Sequence, residues 1–489
     1  MTKSAHLFVF LVAGAAGCGS SRGSGTSPST AGPNGHDGGG GSGADAGAGD
    51  DATAPSSGAD AGISGPDAAA RRDGSAPADG GIAGPTGRLY PDTTASIAIL
   101  TDQLPTMNQA QMQFATSHYV GTEKQLVPVT EALRALNPNF LVLHYHLSMW
   151  QSAPATTFIL PYATCMAGVP VCWSNDYPTV TMSDGWFWHN TSNERVASSA
   201  DQKLLMNVSV AGFQQYWEQS LEDQVSAGEY DGIFFDSASP ALLQGECGGS
   251  GSMQDSRLSG TNVKTAMLPE LGNVTWIAAW QTWIKKLNDD LAAKGIPLIP
   301  NTSAFTTTWD TTDYGLTSGI FDEGFAGTGF AMADWIASTN ELLKLAAADK
   351  IMILQNYLKT TDDVATRMYY LGNYLLVKGR HAYVEYFAGG PLEWYPEWKI
   401  DLGAPVAGPA ADVSTLLQGG VYRRDFASGS VLVNPSGSAV TVSLGGMYQR
   451  VVPSGGGAVD TSGAEPGSLS MQPVTSIQVQ PTSAEIVLK

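Results

Sequence analysis

Two short runs of this chain end on an acid after the same approach: Gly232-Ile233-Phe234-Phe235-Asp236 and Gly319-Ile320-Phe321-Asp322-Glu323. An apolar strand delivers a carboxylate to its exit with water removed from one side, which tunes the group for acid, base or nucleophile work. A pair of such carboxylates is what cleavage of a sugar–sugar bond needs. Side chains alternate along a strand, so Gly232, Phe234 and Asp236 share one face, as do Gly319, Phe321 and Glu323. Asp322 then points away, and Asp231 begins its strand at the opposite end. Asp236 and Glu323 remain as the natural catalytic pair.

To face each other, these acids need a scaffold of parallel strands. From about residue 90, strand-like runs alternate with helix-length segments, the signature of βα repeats. Strands are expected at 97–100 leading to Asp102, at 140–146, within 184–207, and at 230–236, 297–301, 319–323, 350–355 and 380–385. Helices are expected at 125–136, 211–225, 276–294, 332–348 and 362–377. Eight such units predict an α/β chain folded as a (β/α)8 TIM barrel over residues 88–405. Short alternating strands after that predict a small C-terminal all-β sandwich over residues 406–489.

Chemistry in such barrels sits where strands exit at the C-terminal face. The polar residues expected there are Asp102, His144, His146, Asp236, Asn301, Glu323, Gln355 and Glu385. Strands four and six are both even, which places Asp236 and Glu323 at similar depth across the pocket. Asp102, His144, His146, Asn301, Gln355 and Glu385 are expected to bind substrate around them. Indole faces suit the C–H surfaces of sugars, and Trp186, Trp188 and Trp394 are the expected stacking residues.

The net charge of -20 excludes a nucleic-acid surface, which needs clustered Lys and Arg. Lys3, the apolar run 7–12 and the small residues Ala15-Ala16-Gly17 before Cys18 predict a lipoprotein-type signal peptide over residues 1–18, with Cys18 lipidated. Residues 19–87 are almost wholly Gly, Ser, Ala, Asp, Pro and Thr, and are expected to form a disordered tether. The chain is thus expected to be exported to the cell envelope or secreted, touching membrane only through its N-terminal lipid. Of the four cysteines, Cys165, Cys172 and Cys247 remain for pairing, with the connectivity open. No cofactor is expected.

The stretch Tyr230-Asp231-Gly232-Ile233-Phe234-Phe235-Asp236, the downstream strand of Glu323 and the aromatic Trp186–His189 segment resemble the bacterial hypothetical glycosyl hydrolase fifteen family. Its barrel relatives include endo-α-polygalactosaminidase and the α-galactosidases. The resemblance covers about residues 90–400, and 421–488 is similar to β modules that close such enzymes. It implies hydrolysis of glycosidic bonds in a polysaccharide or oligosaccharide, with Asp236 as nucleophile or base and Glu323 as proton donor. Analogy with α-galactosidases leans towards retention of configuration. Two rival readings stay open: a glycan-binding lipoprotein without turnover, and a metal-dependent hydrolase or deacetylase using His144 and His146.

Overall fold

The computed structural model describes residues 82–152, 175, 177–199, 202–240, 243, 246–302 and 315–489. Cys18, Cys165 and Cys172 lie outside the described residues. Cys247 is buried, its thiol 3.9 Å from the Ala197 carbonyl.

The chain is mixed α/β. Eight parallel strands carry the first part: β1 (Leu100–Gln103), β2 (Gly121–Glu123), β3 in two runs (Leu141–Val142 and His144–Leu147), β4 (Ile233–Asp236), β5 (Leu298–Pro300), β6 (Gly319–Glu323), β7 (Ile351–Tyr357) and β8 (Ala382–Phe387). Each pairs with the next, β5 to β6 through an Asn301–Phe321 bridge, and β8 returns to the first strand through Ile99–Val384. The pairing is therefore a closed cycle without an edge.

The alternating helices are α1 (Gln109–His118), α2 (Val127–Leu136), α3 (Ala211–Gly228), α4 (Trp276–Ala292), α5 (Met332–Ala347) and α6 (Val364–Val377). Local chemistry starts them: Asn108 and Gln111 form a capping box at α1, Thr275 caps α4 and Asp363 caps α6. In α4, the buried residues Trp276, Trp280, Trp283, Leu287 and Leu291 recur every three or four positions, one apolar stripe facing the strands. Phe235, on the outer face of β4, meets Trp283 with ring centroids 5.9 Å apart. Inside the cycle Phe234 and Phe321 meet edge to face at 4.6 Å.

The glycines that open the two acid-bearing strands are there for close approach. A Cβ on Gly232 would lie 2.6 Å from the Tyr90 hydroxyl, and one on Gly319 would lie 2.4 Å from the Ile351 carbonyl oxygen. Neither position has room for a side chain.

Three expectations are corrected. The unit α1–β2 was not expected: Gly121-Thr122-Glu123 is a three-residue strand, too short to show alternation, and it makes 140–147 the third strand. The stretch 184–207 adds no strand to the cycle. Its Leu204–Leu205 instead pairs antiparallel with Trp150–Gln151 in a small ribbon. Order also begins before residue 88, because Ile82–Ala83 pairs with Leu89–Tyr90 and Thr86 donates a hydrogen bond to Asp231.

The C-terminal part is one six-stranded antiparallel sheet, built from β9 (Leu417–Gln418), β10 (Val421–Phe426), β11 (Gly429–Asn434), β12 (Val440–Ser454), β13 (Ser468–Val479) and β14 (Ser483–Leu488). Its order is β9-β10-β11-β14-β12-β13. One face covers its own apolar cluster of Val421, Leu432, Val442, Leu444, Ile477, Val479 and Val487. The other meets α6, which is buried from Arg367 to Val377. Arg424 donates from Nη1 to the carbonyls of Leu375, Leu376 and Lys378 at 2.9, 3.0 and 2.9 Å, satisfying the helix end from the sheet.

Candidate active site

The inward faces of the parallel strands follow from register. Tyr145 lies opposite Phe234 and Leu147 opposite Asp236, while Glu323, Gln355 and Glu385 stand in one row across β6, β7 and β8. One end of the cycle thereby collects Glu123, Asp236, Asn301, Glu323, Gln355 and Glu385, with Asp102 at a bulge in β1. Asp322 is fully buried on the other face, as alternation requires.

Asp236 and Glu323 come together through Asn301. The amide Nδ2 of Asn301 donates to Asp236 Oδ1 and to Glu323 Oε2, at 2.9 Å each. Those two oxygens are therefore at most about 5.8 Å apart, twice 2.9 Å, against ~5–5.5 Å for nucleophile and acid pairs and ~6.5–9.5 Å for pairs that lodge a water. Asp236 Oδ2 also accepts from the Tyr145 hydroxyl and from Ser237 Oγ, the latter at 3.3 Å. Glu323 Oε1 accepts from the Tyr357 hydroxyl at 2.6 Å.

The electrostatics separate these carboxyls. Burial alone would raise Asp236, but Lys124, then Lys203, and hydrogen bonds from the Tyr145 hydroxyl and the Ser237 backbone amide hold it below the usual aspartate value. Glu385 is pushed up to about 8 by burial, despite hydrogen bonds from Thr101 Oγ1 and the Asp102 amide. Glu123, fully buried, is raised well above the usual range by burial and by the neighbouring Asp102. Asp102 itself pairs with Lys124 at 2.6 Å. At neutral pH the end of the cycle thus holds an anionic Asp236 beside a neutral Glu385, with Glu123 shifted in the same direction as Glu385.

Other sequence expectations land elsewhere. His144 and His146 share a face, but it is the outer one, where they pack on Tyr230 and Trp217, with ring centroids 4.9 and 6.0 Å apart. The inner face of β3 carries Leu143, Tyr145 and Leu147, so the histidines neither reach the acids nor open onto their cavity. Burial lowers both, His146 to about 4. Trp188 is buried, its Nε1 donating to Asp255 Oδ2 at 2.8 Å, and Trp394 is buried among Phe114, His118 and Trp398. Trp186 packs on Tyr216 of α3. A large indole gains more from burial than from waiting for a ligand, and Trp188 and Trp394 serve packing, while Trp186 is half-buried. The aromatic pair at the rim is Tyr357, 39% exposed, with Phe387 at 5.1 Å.

Sequence reasoning missed Glu123, Lys124, Tyr145, Lys203 and Tyr357. One signal was present: Gly121-Thr122-Glu123 repeats the glycine-to-acid spacing in shortened form, and a Cβ on Gly121 would lie 2.5 Å from the Leu141 carbonyl oxygen.

Residues 134–430, more than half of the chain, match hypothetical glycosyl hydrolase family 15. No curated protein sequence matches the chain. Among solved structures, a maltogenic α-amylase from Thermotoga neapolitana is similar at 9% identity and a TM-score of 0.37, over 80% of this chain and 96% of that one. A pullulanase from Bacillus acidopullulyticus is similar at 11% identity and 0.39, over 81% and 61%. A cycloalternan-degrading enzyme from Trueperella pyogenes is similar at 9% and 0.39, over 83% and 62%. The chain thus spans less than two thirds of the last two. Similarity at this level specifies neither substrate nor site.

Proposed function

The chain belongs to hypothetical glycosyl hydrolase family 15 and is a glycoside hydrolase, and from that premise we propose that it cleaves O-glycosidic bonds of a polysaccharide or oligosaccharide with Asp236 as nucleophile and Glu323 as acid and base. The observation that carries this reading is the Asn301 amide, which donates to both carboxylates and holds the oxygens it joins within about 5.8 Å, nearer the spacing of nucleophile and acid pairs than that of pairs that lodge a water. Glu323 protonates the leaving oxygen while Asp236 attacks the anomeric carbon and forms a glycosyl ester. Glu323 then takes a proton from water, the water attacks the same carbon, and Asp236 leaves. Two displacements return the original configuration.

The supporting residues follow from the same geometry. Tyr145 and Asn301 fix the plane of the Asp236 carboxylate, and Tyr357 and Asn301 fix Glu323. Gln355 is 1% exposed, and neither end of its side-chain amide has a hydrogen-bond partner among the described residues, which supports a role in binding a sugar hydroxyl. Glu385, neutral and beside it in register, supplies a donor, and Asp102 flanks both. Tyr357 and Phe387 offer the apolar rim for a sugar ring. The cyclic strand pairing supports a (β/α)8 barrel, against which the C-terminal β sheet packs through α6. The N-terminal pattern around Cys18 supports a lipid tether to the cell envelope.

Incubation of the tetherless protein with a polysaccharide panel, with the first product's anomer read by NMR, should show retained configuration. Asp236→Gly with azide should yield a glycosyl azide of inverted configuration. A first product of inverted configuration overturns the proposal.

A further inference from the structure

We propose that Lys124 is a positioning residue that poises Asp236 as an anionic nucleophile, its ammonium turned into the mouth of the strand cycle by a left-handed backbone. The inference rests on the reading of Asp236 as nucleophile. Glu123 ends β2 facing inward, so ordinary alternation would send residue 124 outward. Instead Lys124 has φ 49°, a conformation that suits glycine and that a lysine adopts only where its surroundings impose it. Its Nζ consequently lies 5.2 Å from the ring centroid of Tyr145 and 5.3 Å from that of Phe234. Tyr145 donates its hydroxyl to Asp236, and Phe234 precedes Asp236 by two residues on the same face. The cation therefore sits against both aromatic groups that support the carboxylate.

The surroundings explain why a cation is needed. Asp236 is faced by Glu123 from β2, Tyr145 from β3, Asn301 from β5, Glu323 from β6 and Lys203 from the ribbon after β3, with Asp102 from β1 behind Lys124. Three of these groups are acids besides the nucleophile itself, and any of them that carries its charge opposes the ionisation of Asp236. Lys203 helps by its charge as well, and its ammonium donates to Ser237 Oγ at 3.2 Å, which donates to Asp236. Lys124 is the stronger of the two in lowering Asp236. A purely structural lysine would act only through its 2.6 Å pair with Asp102.

The test titrates Asp236 directly, in the full chain labelled with [13C]aspartate, its carboxyl resonance identified by loss in Asp236→Asn. The wild-type midpoint should fall below the ordinary aspartate value. Lys124→Gln should raise it by about one pH unit, and Lys124→Arg should restore most of the difference. Asp102→Asn should lower the midpoint or leave it in place. An unmoved midpoint in Lys124→Gln, or an equal rise in Asp102→Asn, overturns the proposal. Should thermal melting show Lys124→Gln unfolded, Lys124→Gly removes the same charge and relieves the positive φ, with the same expectation. The nucleophile reading stands or falls separately, on the azide product of Asp236→Gly.

Discussion

Two aspartates bracket strand β4, Asp231 two residues before it and Asp236 at its last position, and their surroundings are opposite. Asp231, at the entrance, is fully buried and saturated: it accepts from Thr86 Oγ1, from Arg134 Nη2 at 2.7 Å and from the Val142 amide at 2.8 Å, with Arg88 at 3.5 Å. Asp236, at the exit, is partly exposed, and its donors leave one side open to the interior of the cycle. The same side chain is a structural knot before the strand and, in the role proposed above, a reagent at its end. What differs is the supply of partners: the entrance spends two arginines on one acid, whereas the exit crowds five acids around two lysines. Saturation makes stability, and shortage makes reactivity.

The sharpest way to break this contrast is Asp236→Asn. Turnover of an aryl glycoside that the wild type hydrolyses should fall on the order of 10⁴-fold, with the melting temperature held, as measured by initial rates and differential scanning calorimetry. Asp231→Ala should do the reverse. It leaves Arg134 without its carboxylate and should cost about 3–5 kcal/mol in urea unfolding, while the folded fraction keeps its specific activity. Full activity in the first variant, or an undiminished urea midpoint in the second, would erase the distinction between the two ends.

The smallest effect concerns pH. Glu385 titrates at about 8 in the folded chain and near 4.3 when unfolded, so the native state binds the extra proton. Its stabilising share is complete below pH ~4 and is lost as pH rises through about 8. Melting temperatures should therefore decline from pH 5 to pH 9. Glu385→Gln should flatten that decline without abolishing it, because Glu123 shifts in the same direction. An identical slope in wild type and variant would count against a neutral Glu385.

Much of this contrast was legible in the sequence. The strands of Asp236, Asn301, Glu323, Gln355 and Glu385 are apolar runs that stop on a polar residue, and their alternation alone puts the two catalytic candidates inside and Asp322 outside. β2 was not legible, because three residues with a central threonine carry no period, and with it went Glu123 and Lys124. The face of β3 was misread for a physical reason: polar histidines look as if they belong to a wet site, yet here they lie among buried rings. The clue lay on another element, since α3 carries Gln224 on its buried stripe with Phe213, Trp217 and Leu221. The lysine that reaches Asp236 depends on a positive φ, which no side-chain pattern reports.

The contact between α6 and the C-terminal sheet alters where this protein can be divided. Gly372 has no side chain because the Ala484 Cβ stands 2.3 Å from where its own would be, and three carbonyls at the helix end take their hydrogen bonds from Arg424. Helix and sheet are thus two halves of one joint. A shortened chain ending near residue 405 would not be a bare catalytic core but one with its last helix stripped of its outer wall. Conversely, a protease that nicked the exposed loop around Val406, 70% accessible, would sever the backbone and leave the halves clasped.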